Sequence, residues 1–234
     1  MSWITLLQIT PDTGTPPAIN LPAAATADSL SLWFLLKEGG VLMIPLFICS
    51  IVAVYVFVER FIAIKKAGKT GPEFMSRIRE KLSEGSINSA QSLCKNYDGA
   101  LPRVIGKGIS RIGKPMDNIE KSMENAGKLE VYQMEKNLGI LTTIAGIAPM
   151  VGFLGTIAGM IAMFYNIQHT NTFEIGTIAG GIYTKMVTSA VGLIIGLLAY
   201  VGYQYLNAQI NRNVNKLESA SSEFLDVLHQ PVVA

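Results

Sequence analysis

Three apolar runs, the first two of them uncharged, interrupt an otherwise polar chain. Residues 41–58 (VLMIPLFICSIVAVYVFV) are about as long as a helix needs to cross a hydrocarbon core, roughly 18–20 residues, with Pro45 placed to bend it. Residues 138–164 (LGILTTIAGIAPMVGFLGTIAGMIAMF) exceed that length, so this second span protrudes at one end. Residues 175–206 give a third. The pattern predicts an all-α membrane protein of three transmembrane helices, its long helices extending into a polar helical domain.

The segments between and before the spans read differently. Residues 1–28 carry Pro11, Pro16, Pro17 and Pro22 among Thr, Ala and Asp, and no basic stretch precedes the short apolar patch at 3–7. That is a flexible leader and a poor secretory signal. Residues 29–37 (SLSLWFLLK) alternate small polar and large apolar groups around Trp33, as a helix at a membrane interface would, and lead into the first span within a unit ending at residue 64. Residues 65–137 contain amphipathic patches at 73–82 and 86–97. The stretch 117–138 then runs into apolar sequence without a turn signal, predicting one helix that enters the bilayer unbroken. Spans at 138–165 and 175–206 enclose a short polar loop, 166–174, which has no Lys or Arg, and residues 207–234 form a tail.

Charge placement orients these spans. Glu59 and Arg60 close the first, Lys65, Lys66 and Lys69 follow at once, and Arg212 and Lys216 follow the third. The positive-inside rule therefore puts 65–137 and the C-terminal tail in the cytoplasm, and the leader and loop 166–174 outside. Composition agrees: half the residues are hydrophobic and 15% are charged, and the mean hydropathy is +0.37, too apolar for a soluble domain of this size. The 19 basic residues against 17 acidic ones give no case for nucleic-acid binding. Cys49 sits in an apolar run and Cys94 in a polar one. His169 and His229 have no carboxylate or thiol at ligand spacing, so neither a metal or other cofactor nor an enzymatic centre is expected.

Polar and small residues inside the spans carry the functional signal. Gly155/Gly159, Gly176/Gly180 and Gly192/Gly196 recur at helical spacing with Ala145, Ala148, Ala158, Ala179 and Ala190. Such residues let helices approach closely in lipid, either within one hairpin or between subunits. Hydroxyls recur as well: Thr142, Thr143 and Thr156 in the second span, and Thr177, Thr184, Thr188 and Ser189 in the third. Thr177, Thr184 and Thr188 share a narrow arc at about 100° per residue. Each alone could bond its own helix's carbonyls, whereas an arc of them suits a wet or partner-filled cavity. Lys185 is the one charged side chain deep in any span. A central lysine costs about 2.5–3.5 kcal/mol to insert, so it is either a coupling charge or a snorkelling stem.

The stretches APMVGFLGTIAGMIAMF at 148–164 and GGIYTKMVTSAVGLIIGLLAY at 180–200 resemble the MotA/TolQ/ExbB proton-channel family, and the three-span, N-out layout resembles its ExbB/TolQ branch. The likeness covers 127–206. It implies a subunit of an inner-membrane motor in a Gram-negative bacterium, driven by the proton motive force. Five copies would surround a central pore holding the membrane helices of an ExbD-like partner, whose membrane Asp carries the proton, and the work would reach the outer membrane through a TonB-like protein. The family's pore threonine in the second span falls on Thr156 and that of the third on Ser189. Its third-span glutamate falls on Thr184, and no Asp or Glu replaces it within the spans. Proton or sodium transport, a TolQ-like or gliding role, and a non-conducting scaffold all remain compatible with these residues.

Overall fold

The computed structural model describes residues 42–71, 73–170 and 175–229, and among them every element is a helix. In chain order these are α1 (Met43–Ala67), α2 (Glu73–Ser83), α3 (Ile87–Asn96), α4 (Ala100–Ile109), α5 (Met116–Glu135), α6 (Leu138–Thr170) and α7 (Ile175–His229). The expected leader and interfacial helix lie outside the described residues. Three stretches are long and apolar enough to cross a membrane: Met43–Ala67, one within Met116–His169 and one within Ile178–His229. The 55 residues of α7 correspond to about 80 Å at 1.5 Å per residue, well over twice the ~30 Å of a hydrocarbon core. One helix thus joins the apolar end of the molecule to its polar end, and the tail expected from residue 207 is its continuation.

Alpha-helices in lipid gain little from burying oily side chains against each other, so the α6–α7 hairpin is built on backbone approach. A Cβ on Gly192 would stand 2.6 Å from the Ala148 carbonyl oxygen and 3.0 Å from the Gly152 Cα. One turn along, a Cβ on Gly196 would stand 2.6 Å from Pro149 Cγ and 2.9 Å from the Ala145 carbonyl oxygen. Pro149 has no N–H to give that carbonyl, which is therefore left for the close pass of α7. Along α1, Leu46, Ala53, Val56 and Ile64 face the hairpin, and Phe57 stacks on Phe61, which stacks on Tyr205 of α7. Much of the remaining apolar surface of the spans is bare in the protomer, including Phe47, Val54, Phe153, Ile161, Leu193 and Leu198. Lipid or other chains must cover it.

At the polar end, α2, α4 and α5 pack against the distal half of α7, and α3 packs on α2 and α4. Val104, Ile105 and Ile109 of α4 are buried with Phe74, Ile78, Met123 and Phe224. Gly108 admits Met123 and Phe224, whose atoms would lie 2.6 and 2.8 Å from a Cβ there. Arg103 of α4 donates two bonds to Glu130 of α5, Nε to Oε1 at 2.6 Å and Nη2 to Oε2 at 2.5 Å. That fork raises the guanidinium's pKa above its ordinary value, chiefly through the hydrogen bond. Glu130 is buried while Arg103 is half exposed. Arg103→Ala should therefore destabilise the protein by about 2 kcal/mol, less than the ~3–5 kcal/mol of a wholly buried pair, as read by chemical denaturation of the detergent-solubilised protein.

Cys94 lies under α4, its Cβ 3.3 Å from where a Gly106 side chain would begin. Burial pushes its thiol up to about 11. In a Cys49→Ser background, iodoacetamide at pH 8 should leave the folded protein unlabelled and modify Cys94 once the protein is denatured.

The helix expected to enter the bilayer unbroken is interrupted. Lys136 and Asn137 separate α5 from α6, and Asn137 takes a left-handed φ of 64°. Asn is among the few non-glycine residues that adopt this conformation readily, which is the local signal that an apolar-periodicity reading passes over. The break leaves the last carbonyls of α5 without intrahelical donors. Arg60, at the end of α1, meets one of them: its Nη1 donates to the Gln133 carbonyl at 3.2 Å, while Nη2 pairs with Glu59. At the other hairpin end, α6 continues to Thr170, so the first five residues expected in the polar loop are helical.

Candidate functional site

One ammonium and two hydroxyls of the second and third spans meet on one flank of the α6–α7 hairpin. Thr156, Lys185 and Ser189 line a groove of about 420 Å³ whose walls are otherwise apolar, among them Phe153, Met160, Ile182 and Leu193. Lys185 and Ser189 are four residues apart and so lie on the same face of α7. Thr156 lies opposite them on α6, its hydroxyl donating to the Phe153 carbonyl at 2.7 Å. With its proton spent on its own helix, Thr156 presents acceptor lone pairs to the groove.

The glycines divide into two sets. Gly155, Gly192 and Gly196 are spent within the hairpin, and Gly155 faces the Thr188 methyl, 3.1 Å from a Cβ there. Gly159 has a different tenant: the Cγ, Cδ and Cε of Lys185 occupy the space its side chain would fill. Gly176 and Gly180 have nothing within 4 Å of a Cβ, so their stripe is open at the protomer surface. Thr188 is buried between the two helices, away from the groove that Thr156 and Ser189 line. The side chains of Thr177 and Thr184 lie outside the described residues.

Gly152 is central to this geometry, and pairing glycines with glycines alone passes over it. A Cβ there would stand 3.2 Å from both Gly192 Cα and Ser189 Cα. The signal was the spacing of Ala148 and Gly152, a small residue four before a glycine. Elsewhere, a cleft of about 490 Å³ between α5 and α7 at the polar end carries Glu120, Glu124, Lys128 and Glu218. It contains none of the residues singled out in the spans. Among the described residues no cluster of His, Cys, Asp and Glu could hold a metal.

A groove of hydroxyls and one ammonium within the apolar spans, on a two-helix hairpin packed through glycines, is where the family comparison bears. The model of the MotA/TolQ/ExbB proton channel family matches residues 96–219, more than half of the chain and all of that groove. The chain belongs to the MotA/TolQ/ExbB proton channel family. Its relatives include the biopolymer transport protein exbB1 of Vibrio cholerae, 28% identical over 194 residues, covering 80% of this chain and 84% of that protein. A Tol-Pal system protein TolQ of Pseudomonas aeruginosa is 20% identical over 220 residues, 88% of this chain and 95% of the relative. A putative biopolymer transport protein ExbB homolog of Methanothermobacter thermautotrophicus is 24% identical over 186 residues. The match spans 78% of this chain and 65% of that relative's length. This is thus a multi-pass membrane protein of the ExbB/TolQ branch. Within that family it is notable that residues 41–58, 138–164 and 175–206 contain no Asp or Glu.

Proposed function

We propose that this protein is an ExbB-like subunit of an inner-membrane motor driven by the proton motive force, energising a TonB-like protein for outer-membrane transport through an ExbD-like single-span partner. The observation that carries the reading is the groove, where Thr156 and Ser189 keep a polar path on an otherwise apolar hairpin. A potential near 100 mV supplies about 2.3 kcal/mol per charge moved, enough to drive a helix between two positions. The titrating carboxylate belongs to the partner's membrane helix, since this chain's spans have none. Hydroxyls of Thr156, Ser189 and Thr184 solvate it as it moves. The bare stripe at Gly176 and Gly180 and the uncovered apolar faces of the spans favour a homo-oligomer, here a pentamer in lipid.

A TolQ-like role is the second reading, favoured by the TolQ relative that aligns over 95% of its own length. The test of the common core is proton flux in proteoliposomes containing this protein with and without an ExbD-like single-span partner. Flux only with the partner supports the motor, and none in either case supports a scaffold. Orientation has its own check. With residues 65–137 and 207–234 in the cytoplasm, an impermeant maleimide added outside intact cells should label a Thr170→Cys variant and leave Ser86→Cys untouched. The reverse pattern would invert the topology.

A further inference from the structure

The gap between α5 and α6 is a single turned peptide. Lys136 has ψ 134° and Asn137 has φ 64°, where a helix would have ψ of about −42° and φ of about −63°. Both angles flank the peptide joining these two residues, the pattern of a type II turn set into a helix with one peptide plane turned over. The hydrogen bonds agree. In an unbroken helix the Asn137 N–H goes to the Gln133 carbonyl and the Ile140 N–H to the Lys136 carbonyl. Here Arg60 Nη1 donates to the Gln133 carbonyl at 3.2 Å, and the Ile140 N–H donates to the Asn137 carbonyl at 3.1 Å. The two groups that lost a partner have each found a substitute. Arg60 is buried, its Nη2 pairs with Glu59, and its Nε lies buried without an acceptor, so its grip on α5 is one bond.

We infer that the Lys136–Asn137 peptide is a two-position switch between α5 and α6, with Arg60 as the positioning residue that holds it turned. In the other position the Asn137 N–H retakes the Gln133 carbonyl, Arg60 is released, and α5 and α6 become the single helix that the sequence pattern predicts. The two positions are close in energy. At Gln133 one hydrogen bond replaces another, a nearly neutral exchange. The left-handed residue is an asparagine, which bears that conformation better than other side chains do and less well than a helical one. Non-glycine residues persist there only where their surroundings hold them, and they cluster at switch regions. The position of the joint gives it reach. Thr156 lies about 28 Å along α6 from Asn137, so a change of aim of ~10°, half of what marks a sharp kink, carries it about 5 Å. The helices of the polar end and the groove wall are thereby joined through one peptide. For its use in ion flow the switch rests on the proposed motor, while its two positions stand on the backbone and Arg60.

The test reads this peptide in the full-length protein, by electron cryo-microscopy for its orientation and by hydrogen exchange for the Asn137 amide. Arg60→Leu removes the latch, and Asn137→Ala penalises the left-handed residue with Arg60 in place. Both should restore the bond from the Asn137 N–H to the Gln133 carbonyl and slow exchange at Asn137 at least about tenfold. Arg60→Lys, which keeps a cationic donor, and Asn137→Gly should leave the peptide turned. A peptide still turned in both Arg60→Leu and Asn137→Ala would overturn the proposal. So would loosening of all of α5 in Arg60→Leu with Asn137→Ala still turned, the mark of a merely structural arginine. Proton flux with an ExbD-like single-span partner reads the use of the switch. A joint that must visit both positions is slowed by holding either, so Asn137→Ala and Asn137→Gly should each lower flux at least about threefold with the oligomer intact. Unchanged flux in an Asn137→Ala protein whose helix has become unbroken would overturn the coupling. Absence of flux in the unaltered complex would instead remove the motor reading, while the peptide's two positions are still decided by the first two measurements.

Discussion

Gly192→Leu should leave no intact α6–α7 hairpin: the protein should insert and then aggregate on extraction into mild detergent, with no cooperative thermal transition. The cause is backbone against backbone. The first side-chain carbon would fall 2.6 Å from the Ala148 carbonyl oxygen and 3.0 Å from the Gly152 Cα, and neither can swing aside as a side chain does. Even Gly192→Ala should cost about 2 kcal/mol, in the range of an overpacked core, and leucine adds a branched group to the same overlap. Gly176→Leu is the contrast, because nothing lies within 4 Å of its Cβ. That variant should keep the protomer's transition, and if the open stripe meets a neighbouring subunit it should shift native mass spectra from the proposed pentamer towards smaller species. Equal thermal behaviour of the two leucine variants would contradict this division of the glycines.

The same division shows what could be read from the chain alone. Three spans were legible because hydrocarbon imposes a length and forbids charge, two constraints that need no tertiary information. Small residues at spacing four were equally plain, but whether a glycine serves its own hairpin or a neighbour depends on how α6 and α7 rotate about each other. Spacing does not encode that rotation, which is why Gly155 and Gly176 look alike in sequence and differ in the fold. Lys185 stood out by its cost, whereas its seat on Gly159 depends on a contact 26 positions away in the chain. The arc of Thr177, Thr184 and Thr188 was drawn from angle alone, and α6 covers Thr188 while Ser189 borders the groove. Asn137 escaped notice because apolar periodicity resumes directly after it, and one left-handed residue leaves no trace in a hydrophobic pattern.

Thr156→Val should lower partner-dependent ion flux by about ten- to a hundredfold while leaving the oligomer and its thermal transition in place. Valine replaces the hydroxyl by a methyl of nearly the same volume, so packing on the groove wall is preserved. What is lost is a hydrogen-bonding partner for a charge moving through a desolvated path, worth about 1.5–3 kcal/mol. The hydroxyl's bond to the Phe153 carbonyl is within one helix and is not needed to hold α6. Thr156→Ser, which restores the oxygen, should recover most of the flux. A Thr156→Val protein that conducts normally would mean that the groove is not the ion's route.

The central claim is that hydroxyls on this hairpin complete an ion path for a carboxylate supplied by the partner. Its most direct measurement is proton flux in proteoliposomes containing the partner, comparing the unaltered protein with the triple variant Thr156→Val, Thr184→Val, Ser189→Ala. Flux in the unaltered complex and none above the lipid background in a correctly assembled triple variant is the predicted result. Full flux in the triple variant, together with undiminished energised uptake in cells, would contradict the pathway and leave the protein as a scaffold.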